Sequence, residues 1–173
     1  ELGTGHGAFT FVHAADGSLR FLYIDPRWPD QILSDLRSNR CSMPAGEGIG
    51  AVVFADLLGR ELPGLSHLVI FSDSTAVVAA INSGSSSSPQ LNFIVRWMFD
   101  RNPHVQFMAV HQPGVRNTAA DDLSRFASAQ VIADARAAGA RVHELTVPSP
   151  ALVMMTIVSE TDQRAPPPHG SQP

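Results

Sequence analysis

The chain has little of what stabilises a secreted protein or anchors a membrane protein. One cysteine, Cys41, occurs among 173 residues, which excludes an internal disulfide and any zinc site built from cysteines. A lone thiol favours a reducing compartment, so we expect an intracellular protein, cytoplasmic or nuclear. The longest apolar runs, such as Ala151–Val158, are too short to span a bilayer, which predicts no membrane partner.

Charge is sparse, and its positive part is of one kind. Charged residues make up 16% of the chain, the net charge is -4, and all 12 basic residues are arginine. A domain that binds nucleic acid on its own usually carries a basic patch. The balance therefore indicates a protein that does not bind nucleic acid alone, or one whose neighbouring domain supplies most phosphate contacts. Because the chain starts at Glu1 without a methionine, we expect a piece of a longer protein.

The patterns that are present indicate an α/β domain, with 44% hydrophobic residues. Gly7–Ala14 and Leu19–Ile24 are typical of strands, and the turn residues between them predict a hairpin. His67–Ser72 and Val105–Val110 are unbroken apolar runs, which predict strands buried on both faces.

Helical patterns separate these strands. Apolar spacing near 3.6 predicts a helix over Glu47–Leu58, although three glycines weaken its start. Further helices are expected over the following segments: Asp30–Arg37, Thr75–Ser83 with Gly84 as its cap, a helix from Pro89 with Leu91, Ile94, Val95 and Met98 on one face, a helix from Ala119 into the 120s, and Ser128–Ala138. Strands joined through helices are parallel neighbours, so the expected sheet is mixed.

Three carboxylates stand where such a fold forms its sites. Asp73 follows a predicted strand directly, and Glu47 and Asp121 lie at predicted helix starts. Each also has a purely structural interpretation, since acids cap helices and are stabilised by the helix dipole. His111 at a strand end is equally compatible with a structural histidine, and Asn117 with a loop or capping residue.

One segment resembles a known family closely. His111–Arg125 matches every fixed position of H-x-P-G-x-x-N-x-x-A-D-x-L-S-R, the closing motif of ribonuclease H domains in retroelement reverse transcriptases. Val69–Ser74 resembles the family's strand that ends in aspartate, and Thr75–Ser83 with Gly84 resembles the alanine-rich helix that follows it. Ser88–Leu91 fits the start of the next helix. The most similar members are those of tyrosine-recombinase (DIRS-like) retrotransposons.

The resemblance covers residues 5–126 and implies a ribonuclease H-like fold, a mixed five-stranded sheet flanked by helices. It also implies four acids that bind two Mg²⁺ (or Mn²⁺) ions and hydrolyse the RNA strand of an RNA-DNA hybrid. Glu47 would be the second acid, Asp73 the third and Asp121 the fourth. The implied partners are the hybrid and the reverse transcriptase domain of the same polyprotein.

The resemblance assigns supporting roles to three further residues. His111 would lie on a mobile loop that aids proton transfer or product release, a role that histidine side chains take in many enzymes. Ser74 and Asn117 would contact the substrate. The match around Glu47 is less close, because glycines replace part of the family's glutamate-leucine-x-alanine pattern.

The amino terminus departs from the family. Gly3–Phe9 matches the glycines that follow the family's first acid, so that aspartate should fall just before Glu1, and we expect the first strand to be truncated. Glu1 is a poor substitute because a terminal residue is not held in a sheet. Asp25 better fits the loop after the hairpin, and it and Asp16 are the remaining candidates.

These observations leave three hypotheses. The first is a metal-dependent ribonuclease domain, the second a non-catalytic module of the same fold, and the third an integrase-like or exonuclease relative, which the order Glu, Asp, Asp disfavours. We divide the chain into a ribonuclease H-like domain at 1–126, a helical and strand extension at 127–145, and a proline-rich, largely disordered tail or linker at 146–173.

Overall fold

A computed structural model describes residues 5–28, 30–38 and 40–148. The predicted hairpin is confirmed: β1 (Ala8–His13) pairs antiparallel with β2 (Leu19–Ile24), with Phe11 opposite Phe21. The backbone N–H and the hydroxyl of Ser18 both donate to Asp16 Oδ1, at 2.9 and 2.6 Å, and hold the turn closed.

Six helices and three more strands follow within the described residues. The helices are α1 (Asp30–Arg37), α2 (Met43–Glu61), α3 (Thr75–Ser83), α4 (Pro89–Arg101), α5 (Thr118–Ser124) and α6 (Ser128–Ala137). The strands are β3 (His67–Ser72), β4 (Gln106–His111) and β5 (Arg141–Glu144). The predicted bounds of α1 and α3 are confirmed, and Gly84 ends α3 with a left-handed φ of 69°. None of these helices is long and apolar enough to cross a membrane.

Helix α2 is longer than its sequence predicted. It begins four residues before Glu47, where the Ser42 hydroxyl accepts a hydrogen bond from Ala45 N at 3.4 Å. Its glycines are contact points: a Cβ at Gly46 would lie 2.9 Å from a Leu36 methyl, and one at Gly48 2.9 Å from a Leu91 methyl. Close packing against α1 and α4 therefore offsets the low helix propensity of glycine.

The strands form two sheets. One is mixed, in the order β1-β2-β5, with β2 and β5 parallel; the other is the parallel pair β3-β4. The mixed α/β class and the parallel pairing of β3 with β4 are confirmed. The single five-stranded sheet is not what the described residues form, because β1 and β3 are not hydrogen-bonded to each other.

Strands β3 and β4 are buried on one face only, so the prediction of burial on both faces is wrong. Leu68, Ile70 and Ala109 face the core under α2, α3 and α4. On the opposite face Phe71 is 58% exposed and Met108 is 52% exposed. The apolar run is continuous because the exposed face is apolar too. The alternation of apolar and polar residues that usually marks a half-exposed strand is therefore absent.

The expected extension at 127–145 contributes α6 and β5, and β5 lies beside β2 in the mixed sheet. Leu145 and Val147 then pack against the apolar cluster of Leu22, Ile24, Phe54 and Leu58. The remainder of the expected disordered tail, 149–173, lies outside the described residues.

Helix α5 lies directly on the start of β1, and two glycines allow this approach. A Cβ at Gly7 would lie 2.5 Å from Ser124 N and 2.6 Å from Leu123 Cβ, and would also press on the Ala120 carbonyl. A Cβ at Gly5 would lie 3.0 Å from the Ser124 carbonyl oxygen. Because the opposing atoms are backbone, the helix cannot yield locally, and these glycines fix the position of α5 on the sheet.

We expect Gly7→Ala to lower the free energy of unfolding by about 2–3 kcal/mol, because the added methyl group overlaps the backbone of α5. Gly46→Ala is the matched control. Its methyl would meet only the flexible end of Leu36, and the gain in helix propensity of about 1 kcal/mol offsets that contact. Urea denaturation of both variants measures the difference, and equal losses would show that the close approach of α5 to β1 does not matter.

Candidate active site

A groove separates the two sheets. Its walls are the edge of β1 that does not face β2 and the edge of β3 that does not face β4, and α2 lies along it. Helix α5 and the loop after β4 border it as well, and its cavity measures about 550 Å³. All three predicted acids, Glu47, Asp73 and Asp121, line this groove.

Glu47 reaches the groove from the first turns of α2. It is the one exposed residue between Ala45 and Gly50, since the others in that stretch are buried. Its carboxylate makes no hydrogen bond or ion pair with another described residue. An unpaired acid at the only exposed position of a buried helical stretch is available to a ligand.

Asp73 lies directly after β3, at the carboxyl end of that strand, and is exposed. The loop after β4 passes close to it, since a Cβ at Gly114 would lie 3.4 Å from Asp73 Oδ2. The helix N-cap position of α3 belongs to Ser74, so capping does not occupy the Asp73 carboxylate. This carboxylate also has no partner among the described residues.

Asp121 lies on α5, on the β1 side of the groove. Its side chain is 54% exposed and pairs with Arg125, Nε to Oδ1, at 3.0 Å. The pair spans one helical turn on an exposed surface, where such pairs contribute only about 0.3–0.5 kcal/mol. A cation could therefore replace the guanidinium at little cost.

The groove gathers the three acids without closing them into one cluster. Among the described residues, no three His, Cys, Asp or Glu side chains are close enough together to hold one metal ion. Asp73 belongs to the β3 wall, whereas Asp121 belongs to the helix seated on β1. If the gap between β1 and β3 has the width of one strand, the two walls are separated by roughly 10 Å, which is twice the spacing of neighbouring strands. The oxygen donors themselves are of the kind that Mg²⁺ prefers.

The three supporting residues fall in different places. Asn117 lines the groove, and its carbonyl accepts the Asp121 N–H at 3.1 Å. Ser74 is buried at the start of α3 and does not line the groove. His111 is exposed as the last residue of β4, opposite Ser72, and is part of the strand rather than of the expected loop. The sequence interpretation missed the neighbouring Gln112, which does line the groove.

His6 is the second residue that the sequence interpretation missed. It lines the groove, is only 6% exposed, and has no hydrogen-bond partner for either ring nitrogen among the described residues. Its ring lies 4.3 Å from that of Trp28, centroid to centroid, and its Cβ approaches the helix at Gly50. Burial lowers its pKa to about 4. Its position between Gly5 and Gly7 was the signal that could have predicted its burial. Glycines often mark a close approach of the backbone to another element, and a residue between two of them is buried by that approach.

We expect the free energy of unfolding to decrease as the pH is lowered, because His6 is buried in its neutral form. Its folded pKa of about 4 lies below the unfolded 6.5, so between these values only the unfolded state takes up a proton. The contribution is complete above pH 6.5 and is lost toward pH 4, by about 1.4 kcal/mol per pH unit. Denaturant titrations from pH 7 to 4 should give a flatter profile for His6→Phe than for the exposed control His104→Phe. Identical profiles for both variants would show that His6 does not carry the effect.

Comparison with known proteins adds no relative. No protein-family model, no curated protein and no solved structure matches the chain. The family resemblance therefore depends on the motif of His111–Arg125 and on the segments that accompany it, considered together with the groove.

Proposed function

We propose that this chain is a ribonuclease H-like domain of a retroelement reverse transcriptase that hydrolyses the RNA strand of RNA-DNA hybrids with two Mg²⁺ ions. One observation carries the proposal. Glu47, Asp73 and Asp121 come from three separate elements and line a single groove, together with Asn117 from the family motif. Acids that served only as helix caps or surface charges would have no reason to share a groove.

The order of elements supports the same fold. A hairpin is followed by two helices, the strand that precedes Asp73, two helices, the strand that ends in His111, and the helix that carries Asp121. The parallel pairing of β3 and β4 brings both of those strand ends to one edge. Sites of open α/β sheets form at that edge.

The groove's own residues have distinct tasks in the proposed reaction. Glu47, Asp73 and Asp121 would hold the metal ions, and Arg125 would release Asp121 when they bind. When bound, the two ions supply an activated water and stabilise the leaving oxygen. Asn117 would orient the substrate through its side-chain amide, a task for which Ser74, being buried, is less well placed.

The first acid of the site would come from residues that precede Glu1, as the resemblance implies. The neighbouring reverse transcriptase domain would supply most of the phosphate contacts, because a chain of net charge -4 offers few of its own.

A non-catalytic module is the second candidate, and a specific observation favours it. The described residues include no group of three metal-ligating side chains close enough to share an ion, and Asp121 is already paired with Arg125. A module of this kind would keep the fold and the exposed apolar face of β3 and β4 as an interaction surface.

We expect the chain from Glu1 to cleave RNA-DNA hybrids slowly or not at all, because it lacks the first of the four acids that the resemblance implies. A chain extended upstream to include the expected aspartate should regain Mg²⁺-dependent cleavage, measured on a labelled hybrid. Mutating that aspartate to asparagine should abolish cleavage again while the circular dichroism spectrum is unchanged. If the chain from Glu1 cleaves as fast as the extended one, the first acid is misplaced, and Asp25 or Asp16 becomes the candidate.

In the extended chain, we expect Asp73→Asn to reduce cleavage by at least a hundredfold, because it removes a metal ligand at the strand end. Asp100→Asn is the matched control, since Asp100 is exposed on α4 and does not line the groove. Both variants should bind hybrid in the absence of metal with similar affinity. Equal, full activity of both variants would instead favour the non-catalytic module.

We expect His111→Ala to reduce turnover by roughly 10²–10⁴-fold, the contribution of a proton-transfer group, with little change in substrate affinity. His111 is exposed as the last residue of β4, so the substitution removes little packing. Single-turnover rates and thermal melts of the same variant separate the two roles. An unchanged rate with a lowered melting temperature would make His111 a structural residue.

A further inference from the structure

Phe126 is the only residue other than glycine with a positive φ in the part of the chain that the structure describes. Its φ of 60° lies in the left-handed region, which bulky residues rarely adopt because Cβ crowds the following carbonyl oxygen. The residue comes directly after the cap of α5, the helix that carries Asp121. A strained conformation persists only where its surroundings hold it in place, so contacts of the Phe126 ring must offset the strain.

The backbone around Phe126 forms a Schellman motif, a common left-handed end of a helix. The Ala127 N–H donates to the Asp122 carbonyl at 2.8 Å, and the Phe126 N–H donates to the Leu123 carbonyl at 3.2 Å. Glycine usually takes the left-handed position of this motif, because it has no Cβ. Ending the helix therefore does not require phenylalanine.

Helix α6 ends in the same motif, with glycine at that position. The Ala140 N–H donates to the Ala135 carbonyl at 3.0 Å, and the Gly139 N–H donates to the Arg136 carbonyl at 2.9 Å. Gly139 has a φ of 82°, and a Cβ there would meet nothing within 4 Å. A side chain at the end of α6 would thus have no close contact at its Cβ to offset the strain, whereas the ring at the end of α5 has two partners.

The Phe126 ring packs onto the open end of the hairpin. A Cβ at Gly5 would lie 2.8 Å from Phe126 Cζ, so the tip of the ring lies against the Gly5 backbone. The Arg27 guanidinium lies over the ring, with its Cζ 4.7 Å from the ring centroid. Gly5 and Arg27 are joined as an antiparallel bridge, one before β1 and the other after β2. The ring therefore connects the end of α5 to both strands of the hairpin.

Helix α5 depends on contacts of this kind, because seven residues are too few for a helix that is stable by itself. Leu123 is fully buried and holds the middle of the helix, and Phe126 adds a contact at its carboxyl end. Within the described residues, the one ion pair of Asp121 is with Arg125, which ends the same helix and moves with it. The position of the Asp121 carboxylate is thus set by how α5 itself is held.

We propose that Phe126 is a positioning residue, whose ring holds α5 against the hairpin and thereby fixes the Asp121 carboxylate at the rim of the groove. The consequence for catalysis rests on the proposed function, in which Asp121 is a metal ligand. The hold on α5 does not, since it depends on contacts of Phe126 with Gly5 and Arg27. Metal ligands must be held within about 0.5 Å of their working geometry, so a shifted α5 would weaken metal binding.

Hydrogen exchange of the whole chain separates this role from that of a helix cap. In Phe126→Gly we expect the amides of Asp121 and Arg125 to exchange roughly tenfold faster, while amides of the β2–β5 and β3–β4 ladders are unchanged. If Phe126 only ended the helix, glycine would be the better residue at a φ of 60°, and exchange in α5 would stay the same or become slower. Unchanged or slower exchange therefore overturns the proposal.

Gly139→Phe is the matched control, because it places the same side chain in the same backbone conformation with no atom within 4 Å of its Cβ. We expect it to lower the urea midpoint of unfolding more than Phe126→Gly does, since it adds strain without a compensating contact. An unchanged midpoint would show that phenylalanine carries no strain in this conformation, which would also overturn the proposal.

Arg27→Ala provides a second variant in case Phe126→Gly does not fold. Arg27 is exposed, and its removal uncovers one face of the ring. We expect about two- to fivefold faster exchange of the same α5 amides, as for the loss of an exposed cation–π contact. Added to Phe126→Gly, the substitution should change nothing further, because both residues act through one contact. Unchanged exchange in Arg27→Ala, or additive effects of the two substitutions, would overturn the proposal.

The upstream-extended chain tests the consequence for the metal site. We expect Phe126→Gly to raise the Mg²⁺ concentration for half-maximal hybrid cleavage roughly tenfold, as when other groups that orient a metal ligand are removed. Hybrid affinity in the absence of metal should not change. Faster exchange in α5 with an unchanged Mg²⁺ dependence would overturn the positioning of Asp121. An extended chain that does not cleave at all would contradict the proposed function, and exchange would still decide whether Phe126 holds α5.

Discussion

The unpaired backbone edges of β1 and β3 are the constraint on which the rest of this structure depends. Backbone hydrogen bonds must be satisfied by strand, ligand or water, and two edges face one groove with no strand between them among the described residues. The same gap divides the strands into two sheets, leaves Phe11 and Phe71 exposed, and sets Asp73 and Asp121 on opposite walls. The open groove and the separation of the three carboxylates therefore have the same structural cause.

Glycine determines how the elements around that gap can approach one another. At Gly7 the backbone of α5 lies where a methyl group would be, which carries Asp121 to the rim of the groove. At Gly50 the helix lies against His6, one turn along α2 from Glu47. Any side chain at these two positions would move an acid-bearing helix away from the sheet, so the site's geometry depends on residues that have no functional group.

Local patterns predicted the elements that depend on local interactions. The hairpin, α1 and α3 follow from turn residues, spacing and the Gly84 cap, all of which act within a few residues. The start of α2 did not follow, because the close contact of Gly48 with Leu91 is a tertiary one that propensity cannot register. Likewise, the apolar runs of β3 and β4 predict a strand but not which face is covered. The acids were found from their places at element ends, whereas His6 was missed because its burial depends on Trp28 and on α2.

Two arginine–aspartate arrangements show why one acid can serve a ligand and another cannot. Asp56 is buried and held by Arg60 at 2.5 Å and Arg101 at 2.8 Å, so removing both partners would leave an unpaired charge in a low-dielectric site. In the described part of the chain Asp121 has a single arginine partner, Arg125, and is more than half exposed, so water screens the pair and can replace the guanidinium. An arginine–aspartate ion pair thus holds α2 against α4 in the first case. In the second case the arginine can be displaced from the carboxylate by another cation. The groove therefore keeps its acids available to a cation because they remain in contact with solvent.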